Sequence, residues 1–189
     1  MQLRRLAATA LAAVAAGSGL AACNGQQDEH VRVAETEGVY VSAGELKYQV
    51  QISRVLNPND VEDQDYLRGL PAGQQTLTNG DDWFGVFIRV FNQSKAQHPS
   101  ATNFVIRDTT GKEFRPVALD TKANAVAYRP GPLAPKEQLP TANTLGRTNT
   151  TQGGLLLFRI PVNSFANRPL ELFINDPQGG PQGRIALDV

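Results

Sequence analysis

The sequence predicts an all-β protein, a single antiparallel sandwich of about 140 residues. Three observations carry that expectation. From Val39 onward, apolar residues recur at every second position, the period of a half-buried strand. Gly and Pro, 17 and 12 in number, gather where this alternation stops. No stretch of the domain holds an apolar period of 3.6 for longer than about two turns. At 189 residues the chain has the length of one domain.

The elements follow in order. In 46–53 the even positions Leu46, Tyr48, Val50 and Ile52 are apolar and the odd ones polar, which describes an antiparallel strand with one wet face. Residues 60–68 predict one helical turn capped by Asp60 and closed before Gly69 and Pro71. Residues 82–91 are apolar on both faces except at Arg89, so this strand is expected at a sheet centre. Phe104–Arg107 is a shorter strand. Asp108-Thr109-Thr110-Gly111 turns the chain, with Gly111 at the positive-φ position, and Glu113–Arg115 returns. Residues 129–152 hold Pro130, Pro132, Pro135 and Pro140, and are expected to be an irregular cover with neither helix nor central strand.

Leu156, Phe158 and Ile160 share one face of the next strand, and Leu170, Leu172 and Ile174 share one face of the following one. The spacing predicts a hairpin between them, with Arg159 and Glu171 as cross-strand neighbours contributing about 0.2–1 kcal/mol. Residues 176–181 form a turn, and 184–189 a last alternating strand.

The chain ahead of this domain reads as an address. Arg4 and Arg5 precede an apolar run over 6–16, Gly17-Ser18-Gly19 breaks it, and Leu20-Ala21-Ala22-Cys23 follows. The layout is that of a secretory signal, and its last four residues resemble the lipobox of bacterial lipoproteins. That resemblance implies cleavage between Ala22 and Cys23, acylation of Cys23, and anchoring on the extracytoplasmic side of a membrane by several acyl chains. Asn24 after the cysteine leaves open an outer membrane or the plasma membrane of an actinobacterium. The expected organisation is a signal over 1–22, a lipidated Cys23 with a flexible polar tether to residue 38, and a folded domain over 39–189. His30 falls in the tether and is expected to be solvated.

Composition narrows the partners. Basic and acidic residues balance at 18 each, and removing 1–22 takes two arginines, leaving 18 − 2 = 16 against 18, a net charge of −2. Such a surface argues against nucleic acid and gains nothing from anionic lipid, so membrane attachment rests on Cys23. The single cysteine excludes an internal disulfide and any multi-cysteine zinc site.

The pieces Leu46–Leu56, Trp83–Ser94, Asp108–Phe114 and Gly153–Pro161, in that order, resemble the immunoglobulin-like domains of actinobacterial lipoproteins and secreted antigens. They also resemble, in fold, the secreted immunoprotective antigen of mycobacteria. The resemblance covers 39–189 and implies an immunoglobulin-like β-sandwich without a catalytic residue.

Candidates for chemistry are few. His98, beside Pro99 in a loop, is the domain's histidine, and no Gly-x-Ser-x-Gly elbow presents a serine to it. Asp60, Glu62, Asp63 and Asp65 crowd one loop and could offer oxygen ligands to calcium, although the spacing is not that of an EF-hand. Asp81-Asp82 lies just ahead of the central strand. Trp83, Phe87 and Phe91 share a face with Arg89, which is core if covered and a partner-binding face if not. The expectation is a cell-envelope lipoprotein that binds or supports another envelope protein, without cofactor or catalysis. Its alternatives are a calcium- or small-ligand-binding lipoprotein using the 57–65 loop, and a hydrolase using His98 and nearby acids.

Overall fold

A computed structural model describes residues 30–189. In chain order the strands are β1 (Val33–Ala34), β2 (Val41–Ala43), β3 (Leu46–Leu56), β4 (Asp81–Phe91), β5 (His98–Pro99), β6 (Asn103–Arg107), β7 (Glu113–Phe114), β8 (Pro132–Leu133), β9 (Gln138–Leu139), β10 (Gly154–Pro161), β11 (Leu170–Asn175) and β12 (Gly183–Leu187). Helix α1 (Val61–Tyr66) follows β3, α2 (Leu145–Thr148) precedes β10, and a 3-10 helix spans Val162–Ala166. The expected signal over 1–22, the expected lipobox and Cys23 lie outside the described residues.

The first sheet runs β1-β12-β11-β6-β7 and the second β10-β4-β3-β2, with β9 pairing the end of β4. β5 and β8 form a small separate pair. The faces of β3, β4 and β10 lie against those of β12, β11 and β6, the arrangement of a two-sheet β-sandwich. The inner core follows from the alternation. Phe84, Val86, Ile88 and Val90 come from β4, Leu156, Phe158 and Ile160 from β10, and Leu170, Leu172 and Ile174 from β11. β4 sits between β3 and β10, as its two apolar faces require. The Asp108 turn also forms as its sequence predicts. The Asp108 carboxylate accepts from Thr110 N at 2.9 Å and Lys112 N at 3.0 Å, and Gly111 has φ 86°.

Four expectations need correction. The predicted β10–β11 hairpin does not form. β10 pairs with β4 and β11 with β6 and β12, so their apolar rows face each other across the core. The 3-10 helix carries the chain from one sheet to the other. Arg159 consequently pairs with Asp81 at 2.7 Å, and Glu171 with Arg184 at 3.1 Å.

The alternation of β3 breaks at a bulge between Val50 and Ile52. One extra residue turns every later side chain to the other face. Ile52 is therefore exposed rather than inward, and Leu56 joins Trp83 on the outer face.

The expected tether ends earlier than Gly38. β1 pairs in parallel with β12, Ser42 N donates to Val31 O at 2.6 Å, and Gly38 N donates to Val50 O at 2.9 Å. The Glu37 carboxylate accepts from Ser53 N at 3.0 Å and Asp188 N at 3.1 Å. Two extended residues suffice to fill the open edge of β12, which is too short a run to register as a period. Finally, 129–152 is not wholly irregular. Its prolines end at Pro140, and the four residues of α2 lie beyond them.

Candidate functional site

The outer face of the second sheet divides into two halves. Over the first half, Leu56, Tyr66, Trp83, Phe87, Val126, Leu155 and Leu157 make a second core. Its roof is not a sheet but α1 with the chain that follows it, and the 117–126 segment. Trp83 and Phe87 are fully buried, and the Tyr66 ring meets Phe87 edge-on at 5.1 Å.

Polar contacts latch this roof. Asp60 caps α1 as expected, accepting from Glu62 N at 2.9 Å and Asp63 N at 3.2 Å. Asp63 is buried, accepts from Asn57 N at 2.7 Å, and takes both Arg54 guanidinium nitrogens. Burial pushes its carboxyl upward, but the Arg54 hydrogen bond, the Asn57 amide and the Arg54 charge together hold it below the usual range. Asn124, also buried, donates to Tyr66 O and Arg68 O, each at 2.9 Å. Its carbonyl accepts from Val126 N at 3.1 Å and Ala127 N at 2.9 Å. One side chain thus ties both parts of the roof together.

The second half of the face lies outside this roof, and its side chains are half-buried rather than open. Arg89 stands there, paired across β3 with Gln49, and Phe91 is flanked by Lys47 and Gln138. Arg147 extends the patch through its 2.8 Å bond to Gln138. Gln51 donates to Gln49, whose amide donates to Gly38 O. Tyr40, next to the buried Val41, is exposed. Arg89 is half-buried, its Nε is fully enclosed without a hydrogen-bond partner, and it joins none of the ion pairs among the described residues.

The predicted catalytic and calcium residues are not brought together. His98 sits in β5 beyond the end of β4, its Nδ1 3.5 Å from Gln178 Oε1. The 57–65 loop and Asp81-Asp82 lie at the other end of that eleven-residue strand. The four acids also serve separate partners. Asp60 caps, Asp63 holds Arg54, Asp65 pairs with Arg68 at 2.7 Å, and Glu62 is exposed. Among the described residues no group of three or more His, Cys, Asp or Glu side chains is gathered for a metal. Sequence reasoning missed Asp63 and Asn124 as latches, because partners 9 and 58 residues apart leave no local pattern. It named Arg89 as the one exception in a strand otherwise apolar on both faces, with a covered core as the favoured reading of that face.

No family model matches the sequence, and comparison with curated proteins finds no match. Solved structures do match. The yjhA protein of Bacillus subtilis superimposes with a TM-score of 0.54 at 14% identity, covering 82% of this chain and 99% of that one. An uncharacterized β-sandwich protein of Clostridium difficile gives 0.42 at 9% identity, over 82% of this chain and 95% of that one. The ycdA protein of Bacillus subtilis, described as a candidate lipoprotein, gives 0.44 at 8%, over 78% of this chain and 38% of that one. At these identities the likeness concerns the fold alone, and the all-β sandwich stands. Among the described residues no helix is long and apolar enough to cross a membrane.

Proposed function

We propose that this protein is a lipoprotein of the bacterial cell envelope, anchored through Cys23 on the extracytoplasmic side, whose sandwich binds an acidic segment of another envelope protein. The binding surface is the half of the second sheet's outer face that lies outside the roof, around Arg89. The observation that carries this reading is the Arg89 guanidinium itself. A half-buried charge without a counter-ion costs free energy, and a buried N–H without an acceptor adds to that cost. A carboxylate supplied by a partner would give that charge its counter-ion, with the geometry available to arginine. Gln49 and Arg147 beside it offer further donors to a polar, acidic chain.

The anchor supports the reading by proximity. With the tether ending at about residue 30, the seven residues 24–30 reach at most about 25 Å. The sandwich is therefore held near the lipid surface, among other envelope proteins. No catalytic role is proposed, since His98 and the acids occupy opposite ends of β4.

The test places a photo-crosslinking residue at Gln51 of the full chain in its native envelope. The expected result is a discrete adduct that Arg89→Glu abolishes and that Arg184→Glu, on the other sheet, leaves intact. An adduct unchanged by Arg89→Glu would overturn the surface. For the anchor, Cys23→Ala should move the protein into the soluble fraction, and persistence in the membrane fraction would overturn it.

A further inference from the structure

The two sheets part along one side of the sandwich. The first sheet ends there at β7, only two residues long, and the second ends at β10. No strand among the described residues fills the space between these edges, and residues 115–130 cross it instead. This segment meets β10 twice. Val117 N donates to Leu157 O at 2.7 Å, and Tyr128 N donates to Leu155 O at 2.9 Å. Between those points the chain arcs out to Asp120, whose amide donates to Gly69 O at 2.8 Å.

Under the arc lies a cleft of about 520 Å³. That size falls within the range of small-molecule sites, roughly 300–1,000 Å³. Phe104, Tyr128, Leu155 and Leu156 form its apolar lining, and Ala118 stands at its mouth. Tyr128 adds little polarity, because its hydroxyl is spent on Ala101 O at 3.0 Å, and its ring packs edge-on against Phe104 at 5.3 Å.

One charged side chain lines the cleft among the described residues, and it is Arg115. Its guanidinium donates to Asn103 Oδ1 at 3.1 Å and stands 3.8 Å from Glu113. Glu113 is engaged more closely by Arg107, at 2.7 Å. A single carboxylate between two guanidinium groups leaves one positive charge, and the more exposed of the two is Arg115. An apolar slot with one surplus cation at its edge is complementary to an apolar molecule with one negative charge.

We infer that this cleft binds a monoanionic amphiphile, an apolar chain lying on Phe104, Leu155 and Leu156 with its carboxylate at Arg115. The cleft and the Arg89 face use different elements, so this inference does not depend on the proposed partner surface.

The test uses the full chain and two probes, the fluorescent fatty acid cis-parinarate and its uncharged methyl ester. Wild-type protein should bind the acid saturably at one site, at least fivefold more tightly than the ester. Ala118→Trp should obstruct the mouth and weaken both probes at least tenfold. Ala118 is exposed, so the larger side chain does not enter the core. Arg115→Glu, also at an exposed position, should remove the preference for the acid and leave the ester unchanged. Absence of saturable binding, or binding indifferent to Ala118→Trp, would overturn the site. An acid preference that survives Arg115→Glu would overturn the assigned ligand class.

Discussion

Strand β4 serves two cores that are built differently. Its even residues point into a core walled on both sides by hydrogen-bonded sheets. Its odd residues point into a core walled on one side by a sheet and on the other by a short helix and irregular chain. In the first, the backbone ladders hold the walls and the side chains need only fill the space between. In the second, the cover has few ladder bonds of its own, and a handful of buried polar contacts decide whether it stays down. The same strand thus supports a rigid interior and a dependent one. Where the roof stops, the odd face carries Arg89 between Phe87 and Phe91.

The sharpest test of this contrast is Phe158→Ala. It opens the inner core, where neither sheet can move in to fill the space, and should cost about 4 kcal/mol in urea unfolding. Trp83→Ala empties the second core and should cost less, about 3 kcal/mol, because irregular chain settles more readily onto a void. A larger loss for Trp83 than for Phe158 would break the comparison. Hydrogen exchange gives an independent view, since amides in 61–77 and 117–126 should open before those of β4 and β10. Exchange of the roof only with global unfolding would erase the distinction.

Asp63→Ala removes the latch and should cost about 2 kcal/mol at neutral pH. Its pH dependence has a definite sign. The unfolded aspartate takes up its proton near pH 4, and the folded one only at lower pH because of Arg54 and Asn57. Wild-type stability from this group is therefore complete above about pH 4, and fades as the pH falls through the folded value. The variant should lose that acid limb. Glu37 acts with the opposite sign. Burial raises it, the Ser53 and Asp188 hydrogen bonds offset this only partly, and the Asp188 charge adds to it. Stability from Glu37 accordingly falls as pH rises above about 4.3, and Glu37→Gln should flatten that slope in pH-dependent melts. The smallest effect is expected for Arg89→Met. Losing an unpaired, half-buried charge should change stability by less than about 0.5 kcal/mol or raise it slightly. A loss above about 1 kcal/mol would mean that Arg89 has a structural partner within the chain.

The strands were legible because alternation and burial are the same fact seen twice, as β10 and β11 illustrate. Their pairing was not, because Leu156–Ile160 and Leu170–Ile174 carry the same pattern whether side by side in one sheet or face to face across two. The bulge in β3 was hidden because Ile52 and Val55 are as apolar as inward residues would be. Of the candidate surface, only Arg89 carried a local mark, as a charge in an otherwise apolar strand. The Asn124 contacts and the cleft under 115–130 depend on where distant segments meet, and the chain carries no local mark of either.

The pairing of β1 with β12 has a mechanical consequence. Tension drawn along the chain from its N-terminal side reaches the sandwich at Val31–Ala34. There, Arg184 N bonds Arg32 O at 2.8 Å and Ser42 N bonds Val31 O, one from each sheet. Load along that strand axis falls on these bonds together, in shear, rather than opening them one by one. A domain hung from its leading end would thus be gripped by both of its sheets at the point of suspension.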